Sequence, residues 1–417
     1  MPNLKIKISI FLNYFLFAIL LNSVGTVILQ VQHYFSITES SASVLEAFKD
    51  ISIAVTSFLV ASFITKIGYK KSMLLALAMV AAGCFIIPLV KSFVAVKILF
   101  AITGAGFGLT KVSVFGTIGL ITKSNKEHIS LMNFIESFFM IGVLSGYFIF
   151  SRFIDDTNLF SDKWFNVYYV LGCLSGIAFL LLLTSPLDET EAHGKDKTEE
   201  SIGFASMLAL IIQPLVISFI VCAFLYVLIE QSIMSWLPTF NNKVLHLSSS
   251  VSVVMASILA ASTALGRFLA GIVLKKLNWY VVLISCLAAS AALVLVALPL
   301  AKESAGSSFI VIFGLPVAAY IIPLIGLFLA PIYPAINSII LASLPKSKHG
   351  AMSGLIVVFS ALGGTLGSII TGYIFQHYGG QTAFYFSLIP LALLTISLYI
   401  YKKIGHTEIN RAGYGKG

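Results

Sequence analysis

Long apolar runs interrupted by short polar breaks make up nearly the whole chain, and one stretch departs from that pattern. Residues 187–201 read LDETEAHGKDKTEES, and eight of the residues from Asp188 to Glu200 are charged in a chain that is only 10% charged. Such a segment stays in water, because a hydrocarbon layer offers its charges no partners. On either side lie roughly 190 to 215 residues of apolar sequence, enough for six spans of about 20 to 25 residues with short turns. The polar breaks place spans at 8–32, 41–65, 72–90, 94–122, 130–150 and 165–185, then at 205–238, 249–274, 279–300, 316–344, 350–374 and 383–401. Phe309 to Leu344 is too long for one span and too short for two, so Phe309–Leu315 is expected to be an interfacial lead-in. The pattern predicts an all-α membrane protein with twelve transmembrane helices in two six-helix halves. Residues 1–186 form the N-terminal half, 187–204 a cytoplasmic linker and 205–417 the C-terminal half.

Composition agrees. A hydrophobic share of 58% with 33 Phe exceeds the roughly 45 to 50% of soluble domains. The formal charge of +9 has a topological explanation, since Lys and Arg collect on cytoplasmic loops. With the N-terminus inside, Lys5, Lys7, Lys66, Lys70, Lys71, Lys123, Lys126, Lys195, Lys197, Lys275, Lys276, Lys346, Lys348, Lys402, Lys403, Arg411 and Lys416 are cytoplasmic. Only Lys91, Lys97, Arg152, Lys163, Lys243 and Lys302 are outside. Seventeen against six puts both termini in the cytoplasm and favours an even number of spans. No basic patch is interleaved with exposed aromatics, so no nucleic-acid partner is expected. The start, MPNLKIK, runs directly into an apolar stretch too long for a signal-peptide core, which is expected to stay as the first span. The absence of an N-x-S/T sequon is consistent with a bacterial inner membrane.

Several chemistries are excluded. Cys84, Cys173, Cys222 and Cys286 sit in apolar stretches without CxxC spacing and read as small packing residues. All seven histidines are expected in loops or tails and lack HxxxH spacing, so neither a metal nor another cofactor is called for. There is no Walker loop and no GxSxG motif, against an ATP-driven pump or a membrane hydrolase.

Ionisable groups within spans cost roughly 2.5 to 3.5 kcal/mol each on insertion scales, so each needs a partner or a task. Seven lie there: Glu46, Lys49 and Asp50 in span 2, Lys111 in span 4, Glu136 in span 5, Glu230 in span 7 and Arg267 in span 8. Lys111 follows a glycine-rich segment, Gly104-AG-FG-Leu109-Thr, and lies about 18 Å from the inner face, beyond the reach of its stem. It is a candidate for the substrate site, with Glu136 as its ion-pair partner or as the proton carrier. Glu46 and Asp50 share a helical face, which suits proton binding, while Lys49 beside them favours a neutralised cluster. Glu230 and Gln231 lie one turn after Tyr226 and precede Trp236-Leu237-Pro238. An acid, an amide and aromatic faces suit a hydroxyl-rich ligand; interfacial anchoring accounts for Trp236 equally. Arg267, near the cytoplasmic end of its span, is expected in a gating or inter-half ion pair. Asn22 and Asn337, with Asn13 and Gln30, are amides in spans 1 and 10 that need a helix, water or substrate as partner.

The halves echo each other. Ala61, Ile64, Lys66 and Tyr69 close span 2 as Ala270, Val273, Lys275 and Trp279 close span 8, and Gly142-VLS-Gly146 in span 5 parallels Gly363-Gly364-TL-Gly367 in span 11. This fits the parallel repeat of twelve-span carriers. Over nearly its whole length the chain resembles the major facilitator superfamily. The loop Ile64-Thr65-Lys66-Ile67-Gly68-Tyr69-Lys70-Lys71 is similar to that superfamily's gating signature, with Thr65 at its Asp and Tyr69 at its second Arg. Ile332-Tyr333-Pro334, Lys348-His349-Gly350, Ile356-Val357 and Gly363-Gly364 resemble the bacterial fucose:proton symporter branch. Gly25 and Leu109 stand where that branch carries acids, so its sugar and proton residues do not transfer. The resemblance implies that spans 3, 6, 9 and 12, which hold none of the seven charges, face lipid. It also implies a gating role for Lys70. A monomeric secondary carrier follows, moving a small polar solute, sugar being the leading class, with protons by alternating access. An exporter or a non-transporting sensor on the same fold remain alternatives.

Overall fold

The computed structural model describes residues 3–61, 64–122, 124–189, 210–303, 311–344 and 349–414, and these are overwhelmingly helical. Among the described residues, eleven stretches are long and apolar enough to cross a membrane. The other long helix, Glu39–Ala61, carries Glu46, Lys49 and Asp50 and is span 2. The first unit holds span 1 (Leu4–Asn22 and Val24–Phe35), span 3 (Tyr69–Val90), span 4 (Phe93–Ile121), span 5 (Asn125–Ser151) and span 6 (Val167–Thr184). Span 7 (Pro214–Met234, continued by Leu237–Lys243), span 8 (Ser249–Val273) and span 9 (Trp279–Glu303) follow. Short helical pieces from Ala318 to Ser343 make span 10, His349–Tyr378 is span 11, and Gly380–Tyr385 with Leu388–Tyr414 is span 12. The chain divides into two compact units, 1–201 with 248–257, and 202–247 with 258–417. The polar stretch from 190 to 204 lies outside the described residues.

Within each unit the same backbone seam recurs. In span 5, a Cβ on Gly142 would sit 2.6 Å from the Phe15 carbonyl oxygen, and Gly146 lies against Ile19 of span 1. In span 11, Gly363 and Gly367 lie against the carbonyls of Phe224 and Leu228 of span 7. Helices that lack a side chain at the crossing approach closely and gain dispersion contacts, the main source of helix association in lipid.

Four features differ from the sequence pattern. Span 1 is not continuous: Ser23 Oγ donates to the Leu20 carbonyl at 2.8 Å and Asn22 Nδ2 to that of Ala18 at 2.9 Å. Local side-chain bonds of this kind compete with the helical ladder and break it between Asn22 and Val24. Trp236 is no interfacial anchor, because it is fully buried and its Nε1 donates to the Ser368 carbonyl at 3.1 Å. His33, His128, His349, His377 and His406 lie within helices rather than loops. Ahead of span 10, where an interfacial lead-in was expected, Val311–Ile312 pairs with Leu315–Pro316 as a short antiparallel hairpin. Phe313 and Gly314 at its tip have positive φ.

Candidate functional site

Each unit gathers polar side chains among apolar helices. In the first, Lys49 Nζ donates to Glu46 Oε1 and lies 3.4 Å from Asp50 Oδ1. All three residues are buried. The spacing explains the Glu46 contact, since residues three or four apart share a helix face. Gly104 of span 4 lies against the Lys49 backbone carbonyl, so spans 2 and 4 meet backbone to backbone at this cluster.

A second group in the first unit is built on aromatic rings. Tyr14 of span 1 lies edge-on to Phe107 of span 4 and Phe139 of span 5, with centroids at 6.0 and 6.1 Å, and Phe107 and Phe139 are 6.0 Å apart. Lys111 Nζ stands 6.0 Å from the centre of the Phe107 ring, one turn earlier on its own helix. Glu136 lies within electrostatic range of both Lys111 and Tyr14, but no ion pair closes between Glu136 and Lys111. The Tyr14 hydroxyl is buried without a hydrogen-bond partner, as is Asn13 Oδ1. Asn22 only turns back on its own helix.

In the second unit, Tyr226 OH donates to Glu230 Oε1 at 2.8 Å, the two being four residues apart on span 7. Arg267 of span 8 stands 4.0 Å from the same oxygen. The rings of Tyr226 and Tyr333 stack at 5.3 Å with planes 22° apart, and the Tyr333 hydroxyl shares a 2.8 Å hydrogen bond with Ser360 Oγ. Asn337 is one turn after Tyr333, and its Oδ1 is buried without a partner. Spans 7, 8, 10 and 11 thus surround one carboxylate, one guanidinium, two stacked phenols and an orphan amide oxygen. Gln231 is turned away into its own helix, where Oε1 accepts from Ser235 at 3.2 Å.

Lys70 lies in the first turn of span 3, just after the short helix Ile64–Ile67, within the segment resembling the gating signature. Its Nζ donates to the carbonyls of Leu183 at 3.0 Å and Ser185 at 2.7 Å, capping the end of span 6. Its backbone N–H donates to Glu189 Oε1 at 2.7 Å, in a notch that Gly68 leaves open by lacking a Cβ. Elsewhere, a pocket of about 290 Å³ opens beside Arg152, Asp155, Asp156 and Lys163. Its acids are already engaged. Lys163 Nζ donates to Asp155 at 2.7 Å and holds that carboxyl well below the usual range, while Asp156 accepts from the Ser250 N–H at 2.9 Å.

Sequence reasoning named Lys111, Glu136, Tyr226, Glu230 and Asn337 and missed Tyr14, Tyr333 and Ser360. One signal was present: Tyr333 and Asn337 are four apart on one helix face. Among the described residues no group of His, Cys, Asp or Glu is arranged to hold a metal.

The sequence matches the Major Facilitator Superfamily over residues 10–325 and 319–413. The chain belongs to that superfamily. A curated relative, the TsgA homolog of Buchnera aphidicola subsp. Baizongia pistaciae, is 23% identical over 401 residues, covering 95% of each chain. Among solved structures, the nucleoside transporter NupG superposes with a TM-score of 0.73 at 17% identity, covering 97% of this chain and 99% of its own. FucP, a superfamily transporter in an outward conformation, gives 0.62 at 14%, covering 96% and 99%. At these identities the structural likeness speaks for the fold. This superfamily member is therefore an integral, multi-pass membrane transporter of small solutes and not an enzyme.

Proposed function

We propose that the protein is a proton-coupled symporter that takes up a small, hydroxyl-rich solute by alternating access. It works as a monomer in a bacterial inner membrane with both termini in the cytoplasm, the side that the seventeen basic residues favour. The observation that carries the reading is the pair of polar clusters set in apolar helices, one in each unit. Around Glu230 the phenols, the orphan Asn337 Oδ1 and the carboxylate offer donors, acceptors and a stacked aromatic face, the mixture that sugar rings and hydroxyls engage. The resemblance to fucose:proton symporters favours sugars, and two solved relatives are named for polyhydroxylated solutes, nucleosides and D-xylose.

Glu136 and Glu230 are the proton candidates. A carboxylate whose surroundings alternate between wet and closed gains a proton on closure and loses it on opening. Reconstituted protein, offered D-xylose, L-fucose and uridine with an inward proton gradient, tests this. Glu136→Gln or Glu230→Gln is expected to keep solute exchange while losing uphill accumulation, because Gln mimics the protonated acid permanently. If both variants still concentrate solute, neither acid carries the proton.

A further inference from the structure

The ionisable groups inside the spans fall into three sets. Lys49 is engaged by Glu46 and Asp50, and Arg267 stands beside Glu230. Lys111 and Glu136 remain. Among the described residues neither has a salt bridge or hydrogen bond, yet they lie within electrostatic range of each other. Lys111 does not reach the end of its helix: ten residues separate it from Ile121, about 15 Å of helix, more than a lysine stem spans. Beside them the Tyr14 hydroxyl is buried without a partner, against the Phe107 and Phe139 rings. A cation, an anion and an orphan hydroxyl around aromatic faces, held apart, make a site rather than a structural ion pair.

Charge balance then selects the solute. Empty, the site holds one ammonium and one carboxylate and is neutral. Lys111 is half-buried and Glu136 exposed, so the pair faces an accessible space between apolar helices; once Glu136 has taken the coupling proton, the ammonium there is left without a counter-charge, which is unfavourable at membrane depth. A neutral solute, or a zwitterion, leaves that excess in place. A solute carrying one carboxylate removes it, because its negative charge replaces that of Glu136 beside Lys111. We infer that the solute is a hydroxyl-rich monocarboxylate of the sugar-acid class, its carboxylate held by Lys111, entering with one proton so that no net charge crosses the membrane. The inference rests on the symport reading.

The test uses D-gluconate, D-glucuronate and D-galacturonate against D-glucose and D-galactose. In thermal-shift measurements on the purified full chain, at least one acid should stabilise the wild type where its neutral counterpart does not. Lys111→Met should abolish that shift, Lys111→Arg should retain part of it, and both variants should melt like the wild type without ligand if folded. In proteoliposomes, uptake of the stabilising acid should follow an imposed pH gradient and ignore a potassium-diffusion potential. The proposal is overturned if no acid stabilises, if the neutral sugars stabilise wild type and Lys111→Met alike, or if uptake responds to potential. Potential-driven uptake of a neutral sugar sinks this inference and leaves the symport reading standing. If neither class of solute is bound or moved, the symport reading falls with it.

Discussion

Replacing Lys49 with Met removes the one cation from a buried cluster of two carboxylates. The ammonium lies 3.4 Å from Asp50 Oδ1 and closer still to Glu46. At an effective dielectric of about 20, one unit-charge contact at that separation amounts to roughly 5 kcal/mol. Desolvation offsets part of this in the wild type, but in the variant the acids stay buried without their counter-ion. Breaking a buried pair from one side destabilises by about 3 to 5 kcal/mol, which for a unit of roughly 200 residues corresponds to about 6 to 20 °C in Tm. The companion is the triple variant Lys49→Met, Glu46→Gln, Asp50→Asn, which keeps the shapes and removes all the charge. It should regain most of the lost stability. Both are read from melting of detergent-purified protein followed by intrinsic fluorescence. A Lys49→Met variant melting within about 2 °C of wild type would refute the reasoning, since a buried, engaged ammonium cannot be deleted so cheaply.

Two further outcomes follow from the packing and the charge pattern. Gly367→Ala drives a methyl group into the Leu228 carbonyl and should destabilise by about 1 to 3 kcal/mol. Gly271→Ala meets nothing within 4 Å and should be neutral or gain up to about 1 kcal/mol from helix propensity; equal melting temperatures for the two would discredit the seam. Single cysteines at Lys70, Lys195 and Lys403 should react with an impermeant maleimide only from the cytoplasm, and one at Lys163 only from outside. A reversed site breaks the proposed topology at that point.

The spans were legible because apolar runs of membrane length have few other readings, and span 2 was legible despite its charges because its flanks were polar. What the pattern could not show is what depends on local competition or on rotation of one helix against another. The break at Ser23 comes from hydroxyl and amide bonds to carbonyls three or four residues back, and a hydropathy profile records neither. Sequence position gives the depth of Lys111 and Glu136 but not the azimuth of their helices, so the expected ion pair did not follow. Tyr14 carries no signal in an apolar run, and Tyr333 entered only through the motif Ile332-Tyr333-Pro334; the structure shows the first hydroxyl orphaned and the second shared with Ser360. Glu189 sat in the polar stretch as one solvated charge among many, and only the notch at Gly68 gives it a place.

The glycine seams bear on how the protein is made. In each half the first span must wait for the fifth before its seam can close, Phe15 for Gly142 and Phe224 for Gly363. The ribosome therefore completes the first seam about 70 residues before span 7 begins, an interval of roughly 4 to 14 s at common elongation rates. During that interval spans 1 and 5 can find each other while no equivalent rival from the second half exists in the bilayer. Two glycine seams of the same kind in one chain risk swapping partners, and the order of synthesis protects against it. A circular permutant that begins at span 7 would keep both seams and reverse which half is sheltered.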